Sequence, residues 1–195
     1  MKLMTKRLLG VLSAASLMAL AATTALAQQE NRTIGVSIPA ATHGWTGGVV
    51  YHAEQAAREI QAAFPHINVV VRTSPSATAQ VSALEDLSAS QSLDALVILP
   101  FTSEELTGPV ERVKENGTFS AVVDRGLTGP EIQELYVAGD NIAVGANTAR
   151  WLAEKLGNEG QIVVLRGIPT VIDDERIQGF TEVIDDTNIE ILDIQ

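Results

Sequence analysis

The chain has 195 residues, 46% of them hydrophobic and 19% charged, which is enough apolar surface for one cored domain and part of a second. Its 13 Lys and Arg against 24 Asp and Glu give a formal charge of −11, a balance that repels phosphate backbones and anionic lipid headgroups and argues against a nucleic-acid partner. Cysteine is absent, which removes disulfide frameworks, thiolate zinc sites and cysteine nucleophiles.

The first segment reads as an address. Lys2, Lys6 and Arg7 precede a short apolar run over 8–20, and Ala25-Leu26-Ala27 supplies the small residues that a signal peptidase accepts. The expectation is an exported protein cleaved after Ala27 and released to a bacterial periplasm. The competing reading, an uncleaved anchor, is disfavoured because a span needs about 20 apolar residues.

From there the pattern alternates. Strands are expected over 33–38, 69–71, 95–99, 121–123, 135–138, 162–165 and 189–194, several of them continuously apolar as in strands covered on both faces. Helical spacing appears at Val49, Ala53, Ala56, Ile60 and Phe64, at Leu106, Val110 and Val113, and at Ile142, Ala149, Leu152 and Leu156. Pro65 stops the first of these helices and Asn116-Gly117 the second. Strand–helix alternation at this pitch predicts an α/β fold of doubly wound parallel sheets built from right-handed βαβ units.

In such sheets ligands bind beyond the carboxyl ends of the strands, where the strand order reverses. The segments at that edge are 39–48, 73–76, 100–103, 124–126, 139–141, 166–169 and 173–176. They are rich in hydroxyls, amides and charges and carry one tryptophan, Trp45. This mixture suits a neutral polyhydroxylated ligand, with an aromatic plane on its C–H face and Asp and Arg on its hydroxyls.

The Thr42-His43-Gly44-Trp45 loop, the Asp124-Arg125 pair, the 138–141 crossover and the Glu175-Arg176-Ile177-Gln178-Gly179-Phe180 stretch occur in one order behind a leader. As an ordered set this resembles the periplasmic sugar-binding proteins of ABC importers, of the ribose-binding type, from Arg32 onward. The resemblance implies two similar α/β lobes joined by crossovers and closing on one monosaccharide. It divides the chain into a leader over 1–27, a first lobe over 28–138 and the beginning of a second lobe over 139–195. It assigns Trp45 to sugar stacking with Thr42 and His43 beside it, Asp124 and Arg125 to sugar hydroxyls, and Ser37 and Ser76 to polar pocket positions.

Two departures stand out. The ribose-type pattern has a ligand-facing Arg where this chain carries Asp174, with Arg176 two residues further on. A carboxylate there prefers hydroxyl donors and disfavours acidic sugars, so a sugar alcohol or another aldose is expected as readily as ribose. The chain also ends directly after a strand pattern, so the second lobe is expected to be incomplete and the chain a truncated piece of a larger product.

Each site residue has a plainer reading. Trp45 could cap the core, Asp124-Arg125 could be a turn ion pair, and Asp173-Asp174-Glu175 could serve only the dipole of a helix N-terminus. His43, His52 and His66 lie at spacings that match no standard metal pattern, and no cofactor is expected. The glycines at 44, 47 and 48 lack phosphate-cradle spacing. An enzyme is disfavoured, because neither a nucleophile-elbow nor a zinc-protease motif is present. The leading expectation is a solute-binding protein delivering its ligand to an ABC permease. The alternative is a sensor presenting its closed form to a chemoreceptor or histidine kinase.

Overall fold

A computed structural model describes residues 30–90 and 92–195; the expected leader and its cleavage site at Ala27 lie outside the described residues. The elements run β1 (Arg32–Pro39), α1 (Gly44–Ala63), β2 (Ile67–Ser74), α2 (Ala77–Ser90), β3 (Ala95–Ile98), α3 (Ser103–Glu115), β4 (Phe119–Val123) and β5 (Leu135–Val137). They continue with α4 (Asn141–Leu156), β6 (Glu159–Val164), α5 (Val171–Ile184) and β7 (Asn188–Ile194). The first five strands form one sheet in the order β2-β1-β3-β4-β5, with every pairing parallel. A second sheet, also parallel, pairs β6 with β7. The architecture is the α/β parallel-sheet fold expected from the sequence.

Element ends follow from local chemistry. The Phe64 N–H closes α1 on the Ile60 carbonyl, and Pro65 cannot extend the helix. Gly117 takes a φ of 86° to turn the chain out of α3, and Gly157 takes 69° at the end of α4. The Asp140 carboxylate caps α4 by accepting the Ala143 N–H at 2.9 Å.

Side chains alternate across the first sheet. Leu96, Ile98 and Val122 pack with Leu84, Leu87, Leu106 and Val110 of α2 and α3 on one face. On the other, Val36, Ile38 and Leu99 pack with Val49, Val50 and Ala53 of α1. Full burial of a side chain such as Leu96, Ile98 or Val122 contributes about 1.5–3 kcal/mol. The α1 stripe differs at its end from the sequence pattern: Ala57 rather than Ala56 is buried, and Phe64, at the helix cap, is half exposed.

In α4 the packed face is made of Gly145, Ala146, Ala149 and Ala153, while Ile142 and Leu156 of the expected stripe are exposed. The reason is the crossing of α4 with α5. A methyl group built at Gly145 would lie 2.0 Å from the Arg176 carbonyl oxygen, and one at Gly179 would lie 2.0 Å from that of Ile142. The two backbones approach too closely for any larger side chain. The expectation of strands buried on both faces fails for β6, whose residues alternate between half-buried and exposed, leaving Val163, and Leu165 just beyond the strand, open.

The first sheet reverses direction at β1: β2 lies on one side of it and β3 on the other. A crevice therefore opens at the carboxyl ends of β1 and β3, where strand order switches. The buried Gln80 side chain of α2 fixes this edge. Its amide donates to the Ser37 hydroxyl (3.2 Å) and the Leu99 carbonyl (2.9 Å), and its oxygen accepts the Phe101 N–H (2.7 Å).

Candidate functional site

The loop from β1 into α1 folds on a buried hydroxyl. Thr46 Oγ1 accepts the N–H groups of Thr42 (3.1 Å) and His43 (3.3 Å) and donates to the His43 carbonyl (3.2 Å). That anchoring leaves Trp45 on the first turn of α1 with 58% of its surface exposed, which excludes a core-capping role. The indole is nonetheless fixed, because its Nε1–H donates to Asp124 Oδ2 at 3.1 Å.

Asp124 follows β4 with a φ of 62°, a left-handed conformation that few residues other than Gly, Asn and Asp adopt readily. Its carbonyl accepts the Tyr136 hydroxyl (2.8 Å), and its N–H donates to the Val137 carbonyl (2.8 Å), so β5 holds the turn from both sides. Burial raises the pKa of the Tyr136 phenol, and the Glu175 and Asp124 charges push it the same way, which keeps the hydroxyl a donor.

Arg125 is buried, and its guanidinium donates to the carbonyls of Phe101 (2.9 Å) and Pro100 (3.3 Å). Burial lowers its pKa, and the Asp124 charge partly offsets that. These bonds tie the end of β4 to the end of β3, giving Arg125 a positioning role in addition to its place on the cleft wall.

Facing this edge is the loop from β6 into α5. Together Trp45, Asp124 and Arg125 enclose a cleft of about 420 Å³ with Gly167, Ile168, Thr170, Ile172, Asp173 and Arg176. That volume falls in the range of about 300–1,000 Å³ typical of small-molecule sites. Arg176 is steadied by donating through Nε to Asn141 Oδ1 at 3.0 Å. Asp173 is held more firmly: Oδ1 accepts the Gly167 N–H (3.0 Å) and Oδ2 accepts Arg166 Nε (2.7 Å). The Arg166 guanidinium also bonds Asp174, and its two carboxylate partners raise its pKa, Asp174 foremost.

Of the residues singled out in the sequence, Trp45, Asp124, Arg125 and Arg176 meet on this cleft. The others are placed differently. Ser37 is buried to 1% exposure, its oxygen bonded by Gln80, because its position on β1 points into the layer rather than at the strand end. Ser76 caps α2, its hydroxyl accepting the Ala79 N–H at 3.1 Å. Thr42 and His43 are exposed and shape the loop beneath Trp45 through their backbones. Asp174 turns to Arg166 and lines an adjoining cleft instead.

The sequence reading assigned no site role to Gly167, Ile168, Thr170 or Ile172, and weighed Asp173 only as part of a run that could serve a helix N-terminus. The strand-edge rule had marked segments 166–169 and 173–176, but neither periodicity nor motif indicated which of their side chains would face Trp45.

Residues 34–195 match a family model described as periplasmic binding protein domain. The ribose import binding protein RbsB of Bacillus subtilis is 31% identical over 118 residues, covering 60% of this chain and 38% of that protein. The xylitol-binding protein of Mycolicibacterium smegmatis is 31% identical over 77 residues, covering 40% of this chain and 22% of that protein. Among solved structures, the Caulobacter myo-inositol binding protein bound to myo-inositol superposes with a TM-score of 0.72 at 20% identity, over 86% of this chain and 56% of that one. The fructose-binding periplasmic domain of a hybrid two-component system superposes with a TM-score of 0.71 at 22% identity, over 84% of this chain and 53% of that one. The chain thus spans well under half of these curated relatives and about half of these structures, and the structural likeness carries the fold alone. These relatives are named as binding proteins, not enzymes. The family match runs from within β1 to the end of the chain, and the chain belongs to the periplasmic binding protein domain family.

Proposed function

We propose that the cleft walled by Trp45, Asp124, Asp173 and Arg176 holds a monosaccharide or sugar alcohol. The observation that carries this reading is the exposed Trp45 indole fixed by the Asp124 carboxylate at 3.1 Å. An indole face takes the C–H surface of a sugar ring, while carboxylates accept its hydroxyls in charge-assisted hydrogen bonds. The names of the relatives, which include ribose, xylitol and D-allose binding, support a polyhydroxylated ligand.

In this reading residues 28–138 form one lobe and 139–195 belong to a second, with Gly139-Asp140 in a hinge between them. Ligand binding shifts the population towards a closed form. The protein is exported to the periplasm with cleavage after Ala27, and the closed form is recognised by an ABC permease. A second reading, presentation to a chemoreceptor or histidine kinase, is favoured by the likeness to the sugar-binding domain of a two-component system.

The test is calorimetric titration with D-ribose, D-allose, xylitol and myo-inositol. Saturable binding of at least one, weakened in Trp45→Ala, is the expected result. Absence of binding to all four overturns the reading.

A further inference from the structure

Beside the cleft at Trp45 lies a second one of about 360 Å³, and the two share Gly167, Thr170 and Asp173 along their common wall. Each alone reaches the size of a small-molecule site. The second has a fixed floor: the buried Ser103 hydroxyl, at the first residue of α3, accepts the N–H of Val171, the first residue of α5, at 3.0 Å. Glu104 of α3, Thr128 after β4, Arg166 after β6 and Asp174 of α5 line it.

We propose that this adjoining cleft is a second subsite, and that the preferred ligand is a glycoside or disaccharide whose second unit is uncharged. The proposal rests on the sugar-binding reading above and extends it. Asp173 lines both clefts, with one oxygen on the Gly167 N–H and the other on Arg166, so it stands where the linkage between two units would lie. Carboxylate oxygens have about two acceptor sites each, which leaves Asp173 able to take a ligand hydroxyl as well.

The charge of the subsite decides what it accepts. Glu104, Asp173 and Asp174 outnumber Arg166, the sole basic residue on its wall, and Arg166 is engaged by both aspartates. The net negative wall disfavours a uronate or phosphate, while hydroxyl donors find carboxylate acceptors.

The test compares each disaccharide with its own components by calorimetry on the full chain, using glucose and galactose against maltose, cellobiose and lactose. At least one disaccharide is expected to bind about tenfold tighter than either component, and cellobiuronic acid, whose second unit is a uronate, more weakly than cellobiose. Glu104→Trp and, from a separate segment of the wall, Thr128→Trp fill the subsite from exposed positions. Either one, with an unchanged melting temperature, is expected to abolish the disaccharide gain while leaving the monosaccharide within roughly twofold. Monosaccharide binding without any disaccharide gain overturns this proposal alone, as does a gain that survives both variants. Absence of binding to all of these sugars overturns this proposal, and absence of binding to D-ribose, D-allose, xylitol and myo-inositol as well overturns the reading it rests on.

Discussion

At Asp124 one residue carries a backbone conformation and a side-chain function that substitution can separate. Glycine suits its φ of 62° better than aspartate does, a difference of about 1 kcal/mol. Asp124→Gly keeps the carbonyl that receives Tyr136 and removes the carboxylate that holds Trp45. The expected outcome is a melting temperature equal to or above that of the parent, with sugar affinity lowered by at least about tenfold, as for loss of a charged hydrogen-bond partner. Arg125→Ala should do the reverse of separating them. It strands the Pro100 and Phe101 carbonyls, and denaturant unfolding is expected to show a loss of about 1–3 kcal/mol along with weaker binding. Trp45, Asp124 and Arg125 were legible in the sequence because they follow strand patterns at the edge where ligands bind. Ser37 misled because a residue at the end of a strand faces either the cleft or the layer, and only the partner Gln80 shows which.

At the scale of elements, the crossing of α4 and α5 is the tightest constraint. Gly145→Ala or Gly179→Ala places a methyl group 2.0 Å from a backbone oxygen, so the helices must separate. Overpacking of this kind costs about 1–3 kcal/mol or more. Either variant is expected to unfold at lower denaturant concentration, with the residues of β6, β7 and both helices losing hydrogen-exchange protection before the first sheet. This packing was poorly legible: helical periodicity is read from large apolar residues, whereas the face that packs here consists of Gly and Ala, and Ile142 and Trp151 lie outside. The strands themselves were read at all seven places, since short β-branched runs between turn residues have few other outcomes.

Asp94 joins three strands at the opposite end of the first sheet. Its carboxylate accepts Arg32 Nη1 (2.6 Å) and the Thr33 N–H (2.7 Å), and its carbonyl accepts the Phe119 N–H (3.1 Å). The Arg32 hydrogen bond, then that of Thr33, lowers its pKa. A carboxyl whose pKa is lower in the folded state stabilises that state above its unfolded pKa, and the contribution is lost as pH falls through the folded value. The side chain is about one-third exposed, so the effect is modest. Asp94→Asn is expected to flatten the acid limb of the stability curve, measured as melting temperature against pH from neutral down through the carboxylate range. An unchanged limb would show that the group titrates alike in both states.

For the whole molecule, the consequence of this topology is that the first sheet's switch point and the β6–α5 loop share one cleft. The composition and alternation were enough to read an α/β protein of parallel sheets. They were not enough to read how the loop after β6 meets Trp45, because that depends on the Ser103–Val171 hydrogen bond across 68 residues of sequence. The central claim, that Trp45 and Asp124 form a sugar-binding surface, has a built-in reporter. The chain has two tryptophans, and the second, Trp151, is an exposed residue of α4 outside the cleft. In Trp151→Phe, with excitation beyond the absorption of the two tyrosines, the fluorescence comes from Trp45 alone. Titration of that variant with the sugar and polyol panel is predicted to give a saturable change in emission that Asp124→Ala abolishes. Emission that stays constant with every sugar, or a change that persists in Asp124→Ala, would contradict the account.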